Sequence, residues 1–231
     1  MKRYAIAGAF SIMAIFACLP AAQAQTAPNS EELKIYAGLH EAAAKGDAAE
    51  IERLIAAGEK VNIQDSKSRT PLHVAVFLKK YDAVRALLKA GANPNALDAE
   101  RYDVVTISAV ANDVEMLKIV LAGGAKPGNI TSRYDGTALI AAAHLGHVEV
   151  VRILIAARAP LNHVNNLGWT ALMESIVLGN GGANHTATLK ALVEAGADVN
   201  IADRNRVSPL QHARSRGYSE MARVLEAAGA R

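Results

Sequence analysis

The side chains best suited to chemistry in this chain are two histidines and one carboxylate. His144 and His147 form an H-x-x-H pair, a spacing that can place two imidazoles on one helical face as zinc ligands. We expect the helix to end between them, and no third ligand stands nearby, so a structural role is favoured. Glu174 lies between Leu172 and Ile176 in a predicted helix. We expect it to be partly buried and paired with a loop or a neighbouring arginine, because the sequence places no second carboxylate for acid–base catalysis.

Motifs that accompany common enzyme chemistry are missing from the sequence. It contains no G-x-S-x-G, no P-loop, no G-x-G-x-x-G and no H-E-x-x-H. We therefore predict a protein that is not an enzyme and that holds no cofactor and no metal. The net charge of +3 is a slight basic excess, not the basic surface that nucleic acid or anionic lipid would require.

A unit of about 33 residues recurs six times from Ala37 to the end of the chain. The clearest copy reads Thr70-Pro71-Leu72-His73-Val74-Ala75, continues as Leu87-Leu88-Lys89-Ala90-Gly91-Ala92 and closes on Asn95. The chain thus resembles the ankyrin repeat family, whose signature is T-P-L-H-x-A, then G-H, then L-L-x-x-G-A-x-x-N. The resemblance implies an all-α solenoid of about six helix-turn-helix repeats with β-turn loops. The repeats open at Ala37, Thr70, Asp103, Thr137, Thr170 and Ser208.

Departures from the repeat pattern mark three places. Repeat 3 opens on Asp103 and is degenerate, and repeat 4 has Arg158 where a glycine is expected after the second helix. Repeat 5 carries extra residues at 179–183, between its two helices. We interpret them as a tolerated surface insertion, with a mobile binding loop as the alternative. The other repeats place a glycine where the chain needs a left-handed residue, at Gly58, Gly91, Gly124, Gly196 and Gly229.

The resemblance also implies a structural role for most histidines. In this family the histidine of T-P-L-H orders the loops through hydrogen bonds, and His40, His73 and His212 lie at or beside that position. His147 corresponds to the histidine of the G-H turn. These assignments leave His144 as the histidine at the end of a first helix.

The first residues of the chain are typical of a secretory signal peptide. Lys2 and Arg3 precede an apolar run that is too short for a membrane span, and Ala22-Gln23-Ala24 is a cleavage pattern. We predict a signal peptide over 1–24, a flexible lead over 25–33 and a repeat domain over 34–231, with an uncleaved anchor or lipidation at Cys18 as alternatives. The mature chain would then lie in the bacterial periplasm without any cysteine.

The resemblance implies a protein-binding groove formed by the loops and the exposed sides of the first helices. Aromatic and arginine side chains near the loop tips are typical interface anchors, and apolar residues end the first helices of repeats 2–5. Packing under the loops is the alternative for these residues, above all for the tryptophan. The candidate partner-binding residues are Arg69, Phe77, Leu78, Arg101, Tyr102, Val110, Arg133, Tyr134, His144, Trp169 and Leu178.

The function that follows is a non-catalytic protein–protein interaction module in the bacterial periplasm. The chain is similar to exported bacterial ankyrin proteins, some of which are associated with stress or antioxidant defence. We expect a monomer that binds another protein, with no nucleic acid partner and no membrane insertion of the mature chain. The alternatives are a structural scaffold at the cell wall and an enzyme that uses the groove.

Overall fold

The computed structural model describes residues 25–231, so the predicted signal peptide and Cys18 lie outside the described residues. The regular elements of the described part are thirteen α-helices. They are α1 (Ser30–Ile35), α2 (Gly38–Lys45), α3 (Ala48–Ala56), α4 (Pro71–Phe77), α5 (Tyr81–Lys89), α6 (Val104–Val110), α7 (Val114–Ala122), α8 (Ala138–Leu145), α9 (Val148–Ala156), α10 (Ala171–Val177), α11 (Ala183–Glu194), α12 (Pro209–Ser215) and α13 (Ser219–Ala227).

Helices α2 to α13 pair into six repeats that stack in chain order. The first helices α2, α4, α6, α8, α10 and α12 form one layer, and the second helices α3, α5, α7, α9, α11 and α13 form the other. Apolar side chains from both layers join into one continuous core. A single helix pair cannot bury both of its apolar faces, so the stack supplies the stability that one unit lacks. The predicted all-α solenoid of six repeats is confirmed.

The openers of repeats 2 to 6 begin their helices as N-caps. The side-chain oxygen of each accepts a hydrogen bond from the backbone N–H three residues later, which satisfies a donor that has no partner inside the helix. Asp103 does this as well, with Oδ1 2.8 Å from the Thr106 nitrogen. Repeat 3 therefore keeps its cap although its opening sequence departs from the pattern.

The left-handed position after the second helices is occupied as predicted. The five glycines expected there all have positive φ, and Arg158 of repeat 4 also adopts φ of 65°. An arginine in this conformation costs up to about 1 kcal/mol relative to glycine. Residues 179–182 of the insertion lie between α10 and α11, as the sequence predicts, and Ala183 begins α11.

The lead before the first repeat differs from the flexible segment predicted over 25–33. Asn29 caps α1 and forms a capping box with Glu32. Pro28 is buried, and Glu32 Oε1 lies 2.9 Å from Arg69 Nη2. This ion pair ties the lead to the loop before repeat 2, so the segment is held both by its own capping box and by a residue far along the chain. No helix within residues 25–231 has the length and apolar character needed to cross a bilayer.

Candidate partner-binding groove

The loops that lead into the first helices share one backbone geometry. We name each loop a finger, numbered by the repeat that it enters: finger 2 (57–70), finger 3 (90–103), finger 4 (123–137), finger 5 (157–170) and finger 6 (195–208). In four of them, an aspartate or asparagine five residues before the opener accepts hydrogen bonds from two backbone N–H groups through one oxygen, at 2.8 to 3.0 Å. These residues are Asp65, Asp98, Asn165 and Asp203.

Neighbouring fingers are joined through their backbones. The Ala99 nitrogen donates to the Lys67 carbonyl, the Ser132 nitrogen to Arg101 and the Asn166 nitrogen to Tyr134, each at 2.9 Å. The fingers therefore form a continuous row beside the layer of first helices. We call the surface made by this row and the exposed sides of the first helices the groove.

The eleven predicted partner-binding residues divide by exposure. Those on the surface are Arg101, Arg133, Tyr134 and Leu178. Those that are half-buried are Phe77, Leu78, Val110, His144 and Trp169. Arg69 and Tyr102 are buried, so their side chains cannot contact a partner in the groove as predicted.

Arg69 is held in a network of opposite charges. Its side chain is 1% exposed, and Nε donates to Asp65 Oδ2 at 2.7 Å while Nη2 pairs with Glu32. Tyr36 donates its hydroxyl to the same Asp65 oxygen at 2.7 Å. Burial alone would raise the pKa of Asp65, but the hydrogen bonds from Tyr36, Arg69 and Lys67 outweigh it and lower that pKa. The prediction for Arg69 is wrong because this guanidinium is a buried tie between α1 and finger 2.

Tyr102 is the second correction. Its side chain is buried, and burial raises the pKa of its hydroxyl. In repeats 2 and 3 the residue immediately before the opener is buried beneath the finger, and its carbonyl accepts a hydrogen bond from the histidine of the preceding repeat. Trp169, at the same position in repeat 5, is half-buried. His40 Nε2 donates to the Arg69 carbonyl at 2.9 Å, and His73 Nε2 donates to the Tyr102 carbonyl at 3.2 Å. The two buried residues thus share one position in the repeat.

His73 orders its loop as the resemblance implies. Nε2 also lies 3.1 Å from the Ala96 carbonyl, so this nitrogen carries the proton, and Nδ1 accepts from Thr70. Burial lowers the pKa of His73, and the hydrogen bonds to the Tyr102 and Ala96 carbonyls offset that effect only in part. The ring is therefore neutral near pH 7.

His144 and His147 serve different contacts. Helix α8 ends at Leu145, between them, as predicted. His147 Nδ1 bonds to the Ala109 carbonyl at 3.0 Å, whereas His144 Nδ1 faces Glu174. Within residues 25–231 no group of three or more histidine, cysteine, aspartate or glutamate side chains could hold a metal ion.

Ion pairs link the charged finger tips without burying them. Arg101 Nη1 lies 3.0 Å from Asp135 Oδ1, and Arg133 Nη2 lies 3.7 Å from Glu100 Oε2. All four side chains are about half exposed or more. Such pairs contribute about 0–1 kcal/mol each, so both arginines can exchange these contacts for a partner.

Leu167 is an exposed apolar residue that sequence reasoning missed. It lies three residues before the opener of repeat 5, the same position that Tyr134 holds before repeat 4. The two side chains are 40% and 41% exposed. Their fingers are joined by the Asn166–Tyr134 backbone hydrogen bond. The signal that would have found Leu167 is this shared position, which is the true tip of the finger.

Glu174 is a buried carboxylate at the edge of the groove. It is 4% exposed, and Oε1 accepts from Asn165 Nδ2 at 2.9 Å, which confirms the predicted loop partner. No arginine pairs with it, because its second neighbour is His144, with Nδ1 3.3 Å from Oε2. That nitrogen is not oriented for a hydrogen bond, so Oε2 has no hydrogen-bond partner. Repeats 2 and 3 place Val74 and Ile107 at the equivalent position, four residues after the opener, and both are buried.

Comparison with known proteins agrees with this architecture. A family model described as ankyrin repeats, in three copies, matches residues 14–98 and 105–203. The ankyrin repeat protein YahD of Escherichia coli strain K12 is 40% identical over 103 residues, which are 44% of this chain. The chain spans about half the length of that curated relative, since the match covers 51% of it.

Solved structures match over most of the chain. The crystal structure of an ankyrin repeat domain from Acinetobacter baumannii AYE is 43% identical, covers 84% of this chain and 98% of its own, and superposes with a TM-score of 0.80. The ankyrin repeat domain of Bcl-3, a member of the IκB family, is 29% identical, covers 85% and 87% respectively, and gives a TM-score of 0.75.

Proposed function

The chain belongs to the ankyrin repeat family, and we propose that it is a protein-binding module whose partner contacts the groove of repeats 2 to 5. The ankyrin fold is generally a non-catalytic scaffold for protein interaction. One observation carries the choice of surface. Five of the seven exposed large hydrophobic side chains in the described part of the chain belong to fingers 4 and 5 and the end of α10. They are Ile130, Tyr134, Val164, Leu167 and Leu178.

Exposing several apolar side chains in one region is unfavourable in water. Exposed apolar patches are uncommon on monomeric proteins unless they meet a partner, and single scattered residues need no explanation. Arg101 and Arg133 lie beside this patch at the finger tips, and Trp169 is half-buried in finger 5. Tyrosine, tryptophan and arginine are the residue types that most often carry binding energy at interfaces. The proposed contact set keeps the nine predicted residues that are not buried and adds Leu167: Phe77, Leu78, Arg101, Val110, Arg133, Tyr134, His144, Leu167, Trp169 and Leu178.

Site-specific photo-crosslinking tests this surface. Benzoyl-phenylalanine at Tyr134 or Leu178 should give an adduct with the same partner in cells. Lys118 and Arg152, which are exposed on the second helices, serve as matched controls and should give no such adduct. If Lys118 and Arg152 give the same adduct equally well, the groove is not the specific contact surface of the partner.

We also propose that the mature module begins at Gln25 in the periplasm. Lys2, Arg3, the short apolar run and the Ala22-Gln23-Ala24 pattern support this location. N-terminal sequencing of the exported protein checks it. A first residue of Gln25 agrees with the proposal, whereas a lipid-bearing Cys18 or a retained Met1 contradicts it.

The proposed biological role is support of stress or antioxidant defence. It rests on the similarity to exported bacterial ankyrin proteins noted above. A strain that lacks the gene should survive peroxide less well, and the wild-type gene should restore survival. The Leu178→Asp variant should fail to restore it, because a charge in the groove would exclude the partner. Full restoration of survival by Leu178→Asp would show that the role in peroxide defence does not depend on the groove.

A further inference from the structure

We infer that Glu174 is the floor of a subsite that takes an arginine or lysine side chain from the partner protein. The inference rests on the proposed function, because the subsite lies in the groove. It names the chemistry that one part of the partner must present.

The first reason is that Glu174 holds a carboxylate oxygen inside the fold that makes no hydrogen bond and faces only the His144 ring within 4 Å among the ionic contacts of residues 25–231. Burying a polar group without a hydrogen bond is unfavourable, and burying a charge without a partner is more so. Oε1 is satisfied by Asn165, but Oε2 has no hydrogen bond although the residue is nine-tenths buried. The protein thus keeps a costly group whose second oxygen nothing in residues 25–231 uses fully.

The second reason is that packing does not require an acid here. Val74 and Ile107 occupy the equivalent position in repeats 2 and 3, where they are fully buried among apolar neighbours. A β-branched side chain therefore satisfies the stack at this position. Repeat 1 also has an acid at this position, Glu41, but that side chain is 44% exposed and pairs with Lys45, whereas Glu174 is buried and no lysine or arginine of residues 25–231 pairs with it.

The third reason is access from the groove. His144 covers Glu174 Oε2, and its own side chain is 32% exposed. Its backbone carbonyl is fixed by His185 Nε2 at 2.8 Å, but within the described residues no hydrogen bond fixes the imidazole. A rotation of this one ring would open Oε2 to a group entering from the groove.

The chemistry of the opening favours a cation. A guanidinium or ammonium donates to a carboxylate through strong, short hydrogen bonds, and it would neutralise the buried charge. No lysine or arginine of residues 25–231 pairs with Glu174. Asn165 bonds both Glu174 Oε1 and the Trp169 nitrogen, so the tryptophan belongs to the same finger that holds the carboxylate.

A titration with small cations tests the subsite without the partner. The probe is acetyl-arginine-amide, and acetyl-citrulline-amide is its neutral isostere. Trp169 is the only tryptophan in the sequence, so fluorescence excited selectively at the indole, outside tyrosine absorption, reports on this region. The wild-type mature chain is compared with Glu174→Gln, which keeps the acceptor for Asn165, with Glu174→Asp, which keeps the charge, and with Glu149→Gln as a control on an exposed carboxylate.

We expect saturable binding of the arginine probe to wild type and Glu149→Gln, with at least about tenfold weaker binding to Glu174→Gln and of citrulline to wild type. Glu174→Asp should lie between them. Equal affinity in Glu174→Gln, equal binding of citrulline, or no saturable response in wild type would overturn the inference. Urea unfolding of each variant shows that the comparison is made on folded protein.

The two proposals can fail separately. The titration needs no partner, so a negative result removes the subsite and leaves the groove as the proposed contact surface. Crosslinks that form only from the outer helices would instead remove the groove, whatever the titration shows.

Discussion

Fingers 2 and 5 have the same backbone geometry, but their side chains form different networks. In finger 2, Asp65 accepts two backbone hydrogen bonds through Oδ1 and meets Arg69 and Tyr36 through Oδ2. In finger 5, Asn165 makes the same two backbone contacts and donates to Glu174. Arg69 Nη2 of the first network and Glu174 Oε2 of the second both lack a hydrogen bond. Arg69 Nη2 lies 2.9 Å from a carboxylate oxygen of Glu32, however, whereas Glu174 Oε2 faces the His144 ring at 3.3 Å.

The difference shows how a repeat protein can separate stability from recognition. Arg69 is covered by the lead and pairs with two carboxylates, so finger 2 is sealed. Finger 5 leaves Leu167 exposed and Trp169 half-buried. The position five residues before the opener can therefore stabilise the fold in repeat 2, through Asp65, and support a binding surface in repeat 5, through Asn165.

The largest expected effect is on the sealed side. Arg69→Met would leave Asp65 and Glu32 without their buried cation, and breaking such a pair costs about 3 kcal/mol of unfolding free energy. Lys67→Met is the matched control, because Lys67 contacts the same Glu32 at 3.2 Å but is 45% exposed. It should cost at most about 1 kcal/mol. Urea denaturation measures both, and equal losses would mean that Arg69 is not a buried tie.

The next effect concerns the open side. Tyr134→Ala should lower the affinity for the partner identified by crosslinking about thirtyfold, or about 2 kcal/mol, because aromatic anchors commonly carry that much binding energy. Its unfolding free energy should change by no more than about 0.5 kcal/mol, since the side chain is exposed. Lys118→Ala on the outer face should leave the affinity unchanged. Titration calorimetry with the purified partner decides the point.

Trp169→Ala separates binding from packing in one variant. If Trp169 is an anchor, affinity should fall by a similar factor while the unfolding midpoint moves little. If the ring mainly covers core, the midpoint should fall by several degrees and the folded molecules should bind as before. The second outcome would remove Trp169 from the proposed contact set.

A smaller effect is expected from pH at His73. The unfolded chain protonates this histidine near pH 6.5, but burial lowers the folded pKa, so the unfolded state takes the proton first. Stability is therefore complete above about pH 6.5 and falls as the pH drops, by at most about 1.4 kcal/mol per pH unit. His73→Asn should flatten the dependence between about pH 7.5 and 5.5. An unchanged slope would assign the pH effect to other groups.

The smallest effect distinguishes the two acidic networks. Glu174→Gln should leave the unfolding free energy unchanged or raise it by up to about 1 kcal/mol, because it removes a buried charge and keeps the acceptor for Asn165. Asp65→Asn is the matched change in finger 2 and should be destabilising, because it removes a carboxylate whose contacts are complete. A loss of stability in Glu174→Gln as large as in Asp65→Asn would make Glu174 a structural residue.

The fold could be predicted because local signals repeat in register. The openers cap helices through side-chain oxygens, and the glycines supply positive φ, so each unit is fixed by its own residues. Gln25 to Leu33 could not be predicted in the same way. Their order depends on Arg69, which lies far along the chain and binds Glu32 only in the folded state.

The site was predicted less well, because the exposure of a side chain changes over a shift of two residues within a finger. Arg69 and Tyr102 precede their openers and turn inward, while Tyr134 and Leu167 lie two residues earlier and point to solvent. Composition treats all four as loop residues. For Glu174 the loop partner was predicted and is Asn165, but the contact with His144 was not, because His144 comes from the neighbouring repeat.

The division between a stabilising finger 2 and a binding finger 5 is tested by measuring stability and partner affinity in the same two variants. Unfolding free energy and affinity for the partner captured at Leu178 are measured for Arg69→Met and Glu174→Gln under one set of conditions. We expect Arg69→Met to lose about 3 kcal/mol of stability while its folded molecules bind within about threefold of wild type. We expect Glu174→Gln to keep its stability and to lose at least about tenfold in affinity. The division would be contradicted if Glu174→Gln bound as tightly as wild type while fully folded Arg69→Met lost affinity. Finger 2, and not finger 5, would then support binding.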